Sequence, residues 1–206
     1  MSWHGVEILR LILFLGLVFH KLLWEVMKNQ PPATSHQPPA TKHQRPTTSH
    51  QPPATFVRLV KVIKGMVLVF LIIQTLFLDL LPISDQPTTL RIIGTIIYFV
   101  GLTMAVIGRL QLGKSWVDLE DYQVLPQQSV VTSGIYRYIR HPIYTGDILL
   151  LVGLELALNS WLVLGVFIPL LVVIKQALTE ETLLAQVFPA YSAYCKQTKR
   201  FIPFIL

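Results

Sequence analysis

The apolar runs decide what this chain can fold into. Met66 to Phe77 is nearly uninterrupted apolar sequence, and it lies inside a stretch from Val62 to Ile83 long enough to cross a bilayer. A second stretch runs from Leu90 to Leu110, between the Asp85-Gln86-Pro87 breaker and Arg109. A crossing takes about 20 apolar residues whose backbone groups are satisfied within the segment, so these runs predict helices. The region from Ile143 to about Leu178 is too long for one crossing, and Asn159-Ser160 divides it. It reads as a helical hairpin, Ile143 to Leu158 and Trp161 to Leu178. The first arm is short and holds Asp147 and Glu155, which are expected to face protein rather than lipid. Val6 to Met27 is apolar too but carries Arg10, His20, Lys21 and Glu25, which suits either a span or an interfacial helix.

Composition agrees with a membrane protein. Of 206 residues, 52% are hydrophobic and only 14% charged, too apolar for a typical soluble domain. The net charge of +6 is not a nucleic-acid footprint, because the cations sit beside apolar runs, where they set membrane orientation. Cys195 is the single cysteine, so neither an intrachain disulfide nor a cysteine metal cluster can form. The first apolar segment has few basic residues ahead of it and no small-residue cleavage pattern, and it is expected to be a retained anchor.

Residues 31 to 55 repeat with a period of seven, as in Pro31-Pro32-Ala33-Thr34-Ser35-His36-Gln37 and Pro38-Pro39-Ala40-Thr41-Lys42-His43-Gln44. The prolines exclude a continuous helix and there is no apolar seam, so the repeat predicts a solvated, disordered linker. The periodic His36, His43 and His50 resemble a metal-binding tract, but a duplicated segment under little constraint is the better explanation, and no site is assigned there. Three parts follow: a membrane helix over 1–30, the linker over 31–55, and a membrane core over 56–206.

Basic residues alternate between the connections. Lys28, Lys42, Arg45, Arg58, Lys61 and Lys64 follow the first segment, whereas the turn from Asp79 to Asp85 has none. Arg109, Lys114, Arg137 and Arg140 occupy the next connection, the Asn159-Ser160 turn has none, and the tail carries Lys196, Lys199 and Arg200. Cytoplasmic connections are enriched in Lys and Arg, which places the loop from Gly134 to Gly146 and the C-terminal tail together in the cytoplasm. That alternation needs about five spans, so the fold class is an all-α, polytopic membrane protein with a cytoplasmic C-terminal site.

The loop from Gly134 to Gly146 concentrates Arg137, Arg140, His141 and Tyr144 at the mouth of an apolar segment, and Glu180 and Glu181 follow the last run. A cationic loop opposite two carboxylates suits a ligand bearing both signs, such as an amino-acid-like cofactor. Taken singly, the arginines also suit topology determinants, the tyrosines an interfacial belt, and the glutamates the start of a solvated amphipathic helix. The ordered combination points to a site, since Pro142 fixes the start of the next helix and Gly134 and Gly146 permit close approach.

Thr132-Ser133-Gly134-Ile135-Tyr136, Arg140-His141-Pro142-Ile143-Tyr144-Thr145-Gly146, Glu180-Glu181-x-x-Leu184 and Tyr191-x-x-Tyr194 together resemble the isoprenylcysteine carboxyl methyltransferases, part of a membrane methyltransferase group that includes phospholipid N-methyltransferases. The resemblance extends to Leu112-Gly113-x-x-Trp116 and to Thr198-Lys199-Arg200-Phe201-Ile202-Pro203, roughly the C-terminal half. It implies an integral membrane enzyme that takes S-adenosylmethionine from the cytosol and a lipophilic or lipidated acceptor from the bilayer. Within the core it places a cofactor motif over 128–146 and the glutamate pair with a C-terminal helix over 179–203. Cofactor contacts fall on Gln128, Ser129, Val130, Val131, Tyr136, His141, Pro142, Ile143 and Tyr144. Glu180, Glu181 and Arg140 become the catalytic set, with Gln176 and Glu180 against the substrate and no metal ligands. Aromatic rings and glutamate can meet the cofactor's cations while donors meet its carboxylate.

The resemblance departs at Gln176, where the prenylcysteine enzymes carry an arginine four residues before the glutamate pair; Lys175 is about 100° away on a helix and lacks a planar fork. The reading is carboxyl methylation of an isoprenylcysteine-like substrate, with phospholipid N- or small-thiol S-methylation as alternatives. Membrane sterol reductases end in a similar Arg-His-Pro-x-Tyr-x-Gly-Asp run, which Asp147 completes here, so NADPH-dependent reduction is the competing enzyme class. A non-catalytic membrane scaffold is the competing non-enzyme.

Overall fold

A computed structural model describes residues 3–28, 54–113 and 130–202. The regular structure among them is helical: α1 (Trp3–Lys28), α2 (Ala54–Phe77), α3 (Thr88–Leu112), α4 (Pro142–Ala157), α5 (Phe167–Val187) and α6 (Tyr191–Gln197). Short 3₁₀ segments cover Gly134–Arg137 and Trp161–Val166. Nearly all of the heptad repeat, together with Lys114, Trp116, Gln128, Ser129 and Pro203, lies outside the described residues.

Three segments are long and apolar enough to cross a membrane: Val57–Phe77, Thr88–Leu112 and Trp161–Val187. Their outward side chains, among them Met66, Phe70, Ile73, Ile92, Ile96, Leu171 and Val172, are exposed as a lipid-facing surface requires. The chain is an integral membrane protein. The expectation of about five spans also drew on the segments that became α1 and α4, and α4 has 16 residues, fewer than a crossing takes.

The centre of the fold is the antiparallel pair α3 and α4, whose backbones touch. Gly94, Gly101 and Gly108 recur every seven residues on α3 and face α4, where Gly146 and Gly153 have the same spacing. A methyl group on Gly146 would lie 2.5 Å from the Ala105 nitrogen, and one on Gly153 would collide with the backbone of Tyr98. Without side chains between them the helices gain close dispersion contact, which replaces the hydrophobic drive that lipid cannot supply. Around this seam Tyr98 and Leu102 of α3 pack with Leu150, Leu154, Ala157 and Leu158 of α4 and with Leu13 and Leu17 of α1. The Tyr98 hydroxyl donates to the Leu13 carbonyl at 2.8 Å, tying α1 to the pair.

The polar residues of the short arm do face protein. Glu155 is 4% exposed and accepts from Gln74 Nε2 of α2 at 2.7 Å, while Asp147 lies 3.0 Å from His20 Nε2 of α1. At the Glu155 end of α4, Asn159 takes a left-handed conformation (φ 59°), which its short polar side chain tolerates. Its amide clamps the preceding turn, accepting from Ser84 N at 3.1 Å and donating to Ser84 O at 2.8 Å.

The last apolar helix ends later than the expected Leu178. Glu180 and Glu181 do not start a new amphipathic helix; they sit inside α5, which runs unbroken from Phe167 to Val187. Thr179 and Thr182 donate to the carbonyls of Lys175 and Leu178, and the helix ends only where Pro189 requires Phe188 to be extended.

Candidate active site

The site forms where the start of α4, the later part of α5 and the chain after α6 converge. Gly134, at φ 60°, turns the chain into the 3₁₀ segment against Gln111, whose Oε1 accepts from Ile135 N at 2.8 Å. Pro142 occupies the first turn of α4, where a missing N–H costs nothing. The segment just before it runs beside the tail: Arg140 N donates to Lys199 O at 2.8 Å, His141 N to Arg200 O at 3.1 Å, and Lys199 N to Tyr138 O at 3.1 Å. Thr145 adds a hydroxyl bond to Phe201 O at 3.1 Å.

That ladder brings three cationic or protonatable groups onto one carboxylate. Glu181 accepts from Arg140 Nε at 2.9 Å and from Arg200 at 3.0 and 2.8 Å, the latter two as a bidentate fork, and its Oε1 lies 3.1 Å from His141 Nε2. Arg140 is further fixed by Thr198 O at 2.6 Å and Cys195 O at 3.2 Å. The carboxylate holds the Arg200 guanidinium above its ordinary pKa. Glu181 is therefore fully committed, with a side chain 12% exposed.

Glu180 differs. Its side chain is 38% exposed, its Oε2 accepts from Tyr144 OH at 3.2 Å, and His141 Nδ1 lies 3.8 Å away. The His141 ring stacks on Tyr144 with centroids 5.4 Å apart, and Phe201 tilts against the same imidazole with centroids 5.7 Å apart. The result is an aromatic wall beside an open carboxylate.

The expected residues thus divide. Arg140, His141, Tyr144, Glu180 and Glu181 meet directly. Tyr136, Pro142 and Ile143 are buried behind them: the last two pack against Gly108, and Tyr136 OH donates to Gly108 O at 3.3 Å. Tyr194 OH donates to Tyr136 O at 2.6 Å, and burial pushes the Tyr194 phenol up to about 12. Val130 and Val131 are half-buried shortly before the 3₁₀ segment at Gly134, and Gln176 is half-buried one helical turn before Glu180. Gln128 and Ser129 are outside the described residues. Sequence reasoning left Arg200 and Thr198 without a role; the run Thr198-Lys199-Arg200-Phe201 was the available signal.

The donor set fits S-adenosylmethionine. The open carboxylate of Glu180 and the stacked rings of His141 and Tyr144 suit its ammonium and sulfonium.

Known proteins share this arrangement of helices. The fold is similar to the structure of the eukaryotic intramembrane Ras methyltransferase, isoprenylcysteine carboxyl methyltransferase, with a TM-score of 0.51 and 20% identity over 77% of this chain and 55% of that one. In sequence, the chain is 32% identical over 109 residues to the cobalt-zinc-cadmium resistance protein CzcN of Cupriavidus metallidurans, covering 50% of this chain. It spans 46% of that relative's length. Residues 89–191, from the start of α3 to the start of α6 and including the loop and both glutamates, match the phospholipid methyltransferase family model, and the chain belongs to that family.

Proposed function

We propose that this chain is an S-adenosylmethionine-dependent methyltransferase whose site opens to the cytoplasm and whose acceptor is a lipophilic molecule with a protic nitrogen or sulfur, foremost a lipid amine. The observation that carries the reading is the division of labour between the glutamates. Arg140, Arg200 and His141 all turn to Glu181, and Glu180 stays open beside Tyr144.

His141, Tyr144 and Glu180 would hold the cofactor, which supplies an electrophilic methyl group on a sulfonium when bound. The chain's own contribution is orientation and proton handling. An amine or thiol sheds a proton as it is methylated, and Glu180 is the carboxylate placed to take it. Glu181 is a positioning residue: it fixes Arg140 and His141 and keeps the tail on the loop. A carboxylate acceptor needs no base but does need a cation, and the two arginines brought to the glutamate pair are already engaged. Gln176, one turn from Glu180, supplies an amide where the prenylcysteine enzymes resemble one another in having an arginine.

The carboxyl-methylation reading keeps one observation in its favour, the fold it shares with the Ras methyltransferase. Basic residues in the loop and tail support the cytoplasmic orientation. One experiment separates the readings. Detergent-purified protein is titrated calorimetrically with S-adenosylmethionine, S-adenosylhomocysteine and NADPH, then given labelled methyl donor with phosphatidylethanolamine, a prenylcysteine or a small thiol. Binding of the adenosyl ligands and label on the amine lipid is the expected result. Label on prenylcysteine alone would restore carboxyl methylation, and binding of NADPH alone would replace methyl transfer with reduction.

A further inference from the structure

At the end of the bundle away from the glutamate pair, a second group of charges has no part in the proposed chemistry. Arg10 of α1 reaches the loop after α2, where it donates to Leu78 O at 3.3 Å and forms a short ion pair with Asp79. Its side chain is 12% exposed, whereas that of Asp79 is 72% exposed. Arg91, in the first turn of α3, lies within electrostatic reach of both. Its Nε is shut off from solvent and meets no acceptor among the described residues.

A guanidinium is always charged and offers five donors in a planar fork. The Nε is out of reach from outside the chain, but Arg91 is only half-buried and its side chain makes no hydrogen bond among the described residues, so its terminal nitrogens are left for an acceptor from the surroundings that the protein meets in use. Asp79 is the nearby carboxylate, and Arg10 already holds it. The surroundings here are set by the membrane: Arg91 is the fourth residue of a spanning helix, about 27 Å along α3 from Arg109 at the other end, which puts it at headgroup level in the opposite leaflet. Headgroup phosphates are bidentate acceptors that match a guanidinium fork.

We infer that Arg91, flanked by Arg10, binds the phosphate of a phospholipid headgroup in the leaflet opposite the glutamate pair. The two arginines outnumber the one carboxylate between them, which leaves the local balance in favour of an anion. The site is independent of the methyl-transfer reading, because it lies at the other membrane face and shares no residue with it.

Free phosphate has the same chemistry as a lipid phosphate, and the test distinguishes them. Full-length protein is purified in detergent as wild type, Arg91→Gln and Arg91→Lys. Retained lipid is measured by native mass spectrometry, and thermal unfolding is followed with added dioleoylphosphatidylglycerol, dioleoylglycerol or glycerol phosphate. Wild type is expected to retain phosphatidylglycerol and to be stabilised by it but not by dioleoylglycerol. Arg91→Gln should weaken retention by roughly tenfold or more, and Arg91→Lys by less, since charge remains while the fork is lost. Stabilisation of wild type by glycerol phosphate to the same extent would assign the site to a soluble phosphate instead of a lipid. Equal lipid retention and stabilisation in all three proteins would overturn the inference. If Arg91→Gln fails to fold, the comparison of wild type with Arg91→Lys and the dioleoylglycerol control decides it.

Discussion

The two ends of the bundle use the same chemistry in opposite ways. At one end Arg140, Arg200 and His141 all converge on the single carboxylate of Glu181 at 2.8 to 3.1 Å. At the other end Asp79 is held by Arg10, and Arg91 beside it keeps a buried Nε without an acceptor. A closed network of charges fixes geometry, because removing any member strands the others; an incomplete one is a place where something else can bind. Glu180 extends the lesson within the first end, since it sits one residue from a saturated carboxylate and remains open.

The largest effect should come from breaking the closed network. Glu181→Ala leaves Arg140 and Arg200 without their shared partner, and unfolding in detergent is expected to lose about 3–5 kcal/mol, with cofactor binding lost as the tail leaves the loop. Glu180→Gln should do the reverse. Stability stays within about 0.5 kcal/mol, cofactor binding weakens as the charge facing its cations is lost, and turnover on an amine acceptor falls by about 10²–10⁴-fold. Denaturant unfolding and single-turnover methyl transfer on the two proteins measure both. Equal losses of stability in the two variants would erase the distinction drawn between the glutamates.

Much of this was legible in the chain, and the reason differs from part to part. Lipid leaves few options, so apolar runs between polar breakers gave α3 and α4 to within a few residues, whereas α2 runs from Ala54 to Phe77 and α5 continues past Leu178 to Val187. The Asn159-Ser160 break is visible because Asn suits the left-handed conformation it adopts. The glutamates were legible as site candidates but not as unlike partners, because Glu181 meets Arg140 from 41 residues away and Arg200 from 19. Pairings at such separations follow from how α4, α5 and the tail pack, which no local pattern encodes. The seven-residue glycine spacing on α3 was present in the sequence, yet a reading by apolar content treats glycine as filler and misses a seam made by its lack of a side chain.

A smaller change sharpens the closed end. Arg200→Lys keeps the charge at a position whose side chain is 36% exposed but removes the bidentate fork onto Glu181. Stability should fall by about 1 kcal/mol, discounted for solvent screening, while Arg140 and His141 keep Glu181 in place. The tail then docks less often, so KM for the cofactor rises more than kcat falls. A loss as large as that of Glu181→Ala would mean that Arg200 alone holds the site together.

The smallest effect on stability belongs to the open end, where it is also the most diagnostic. Asp79 is mostly exposed, and its replacement by Asn removes an ion pair worth about 0.5 kcal/mol in such a setting. The same change frees Arg10 and removes the carboxylate that competes with an incoming anion. Retention of an anionic phospholipid should therefore increase in Asp79→Asn while unfolding hardly moves. An arginine that only extends toward bulk water would respond to neither change, because its neighbours would have nothing to compete for.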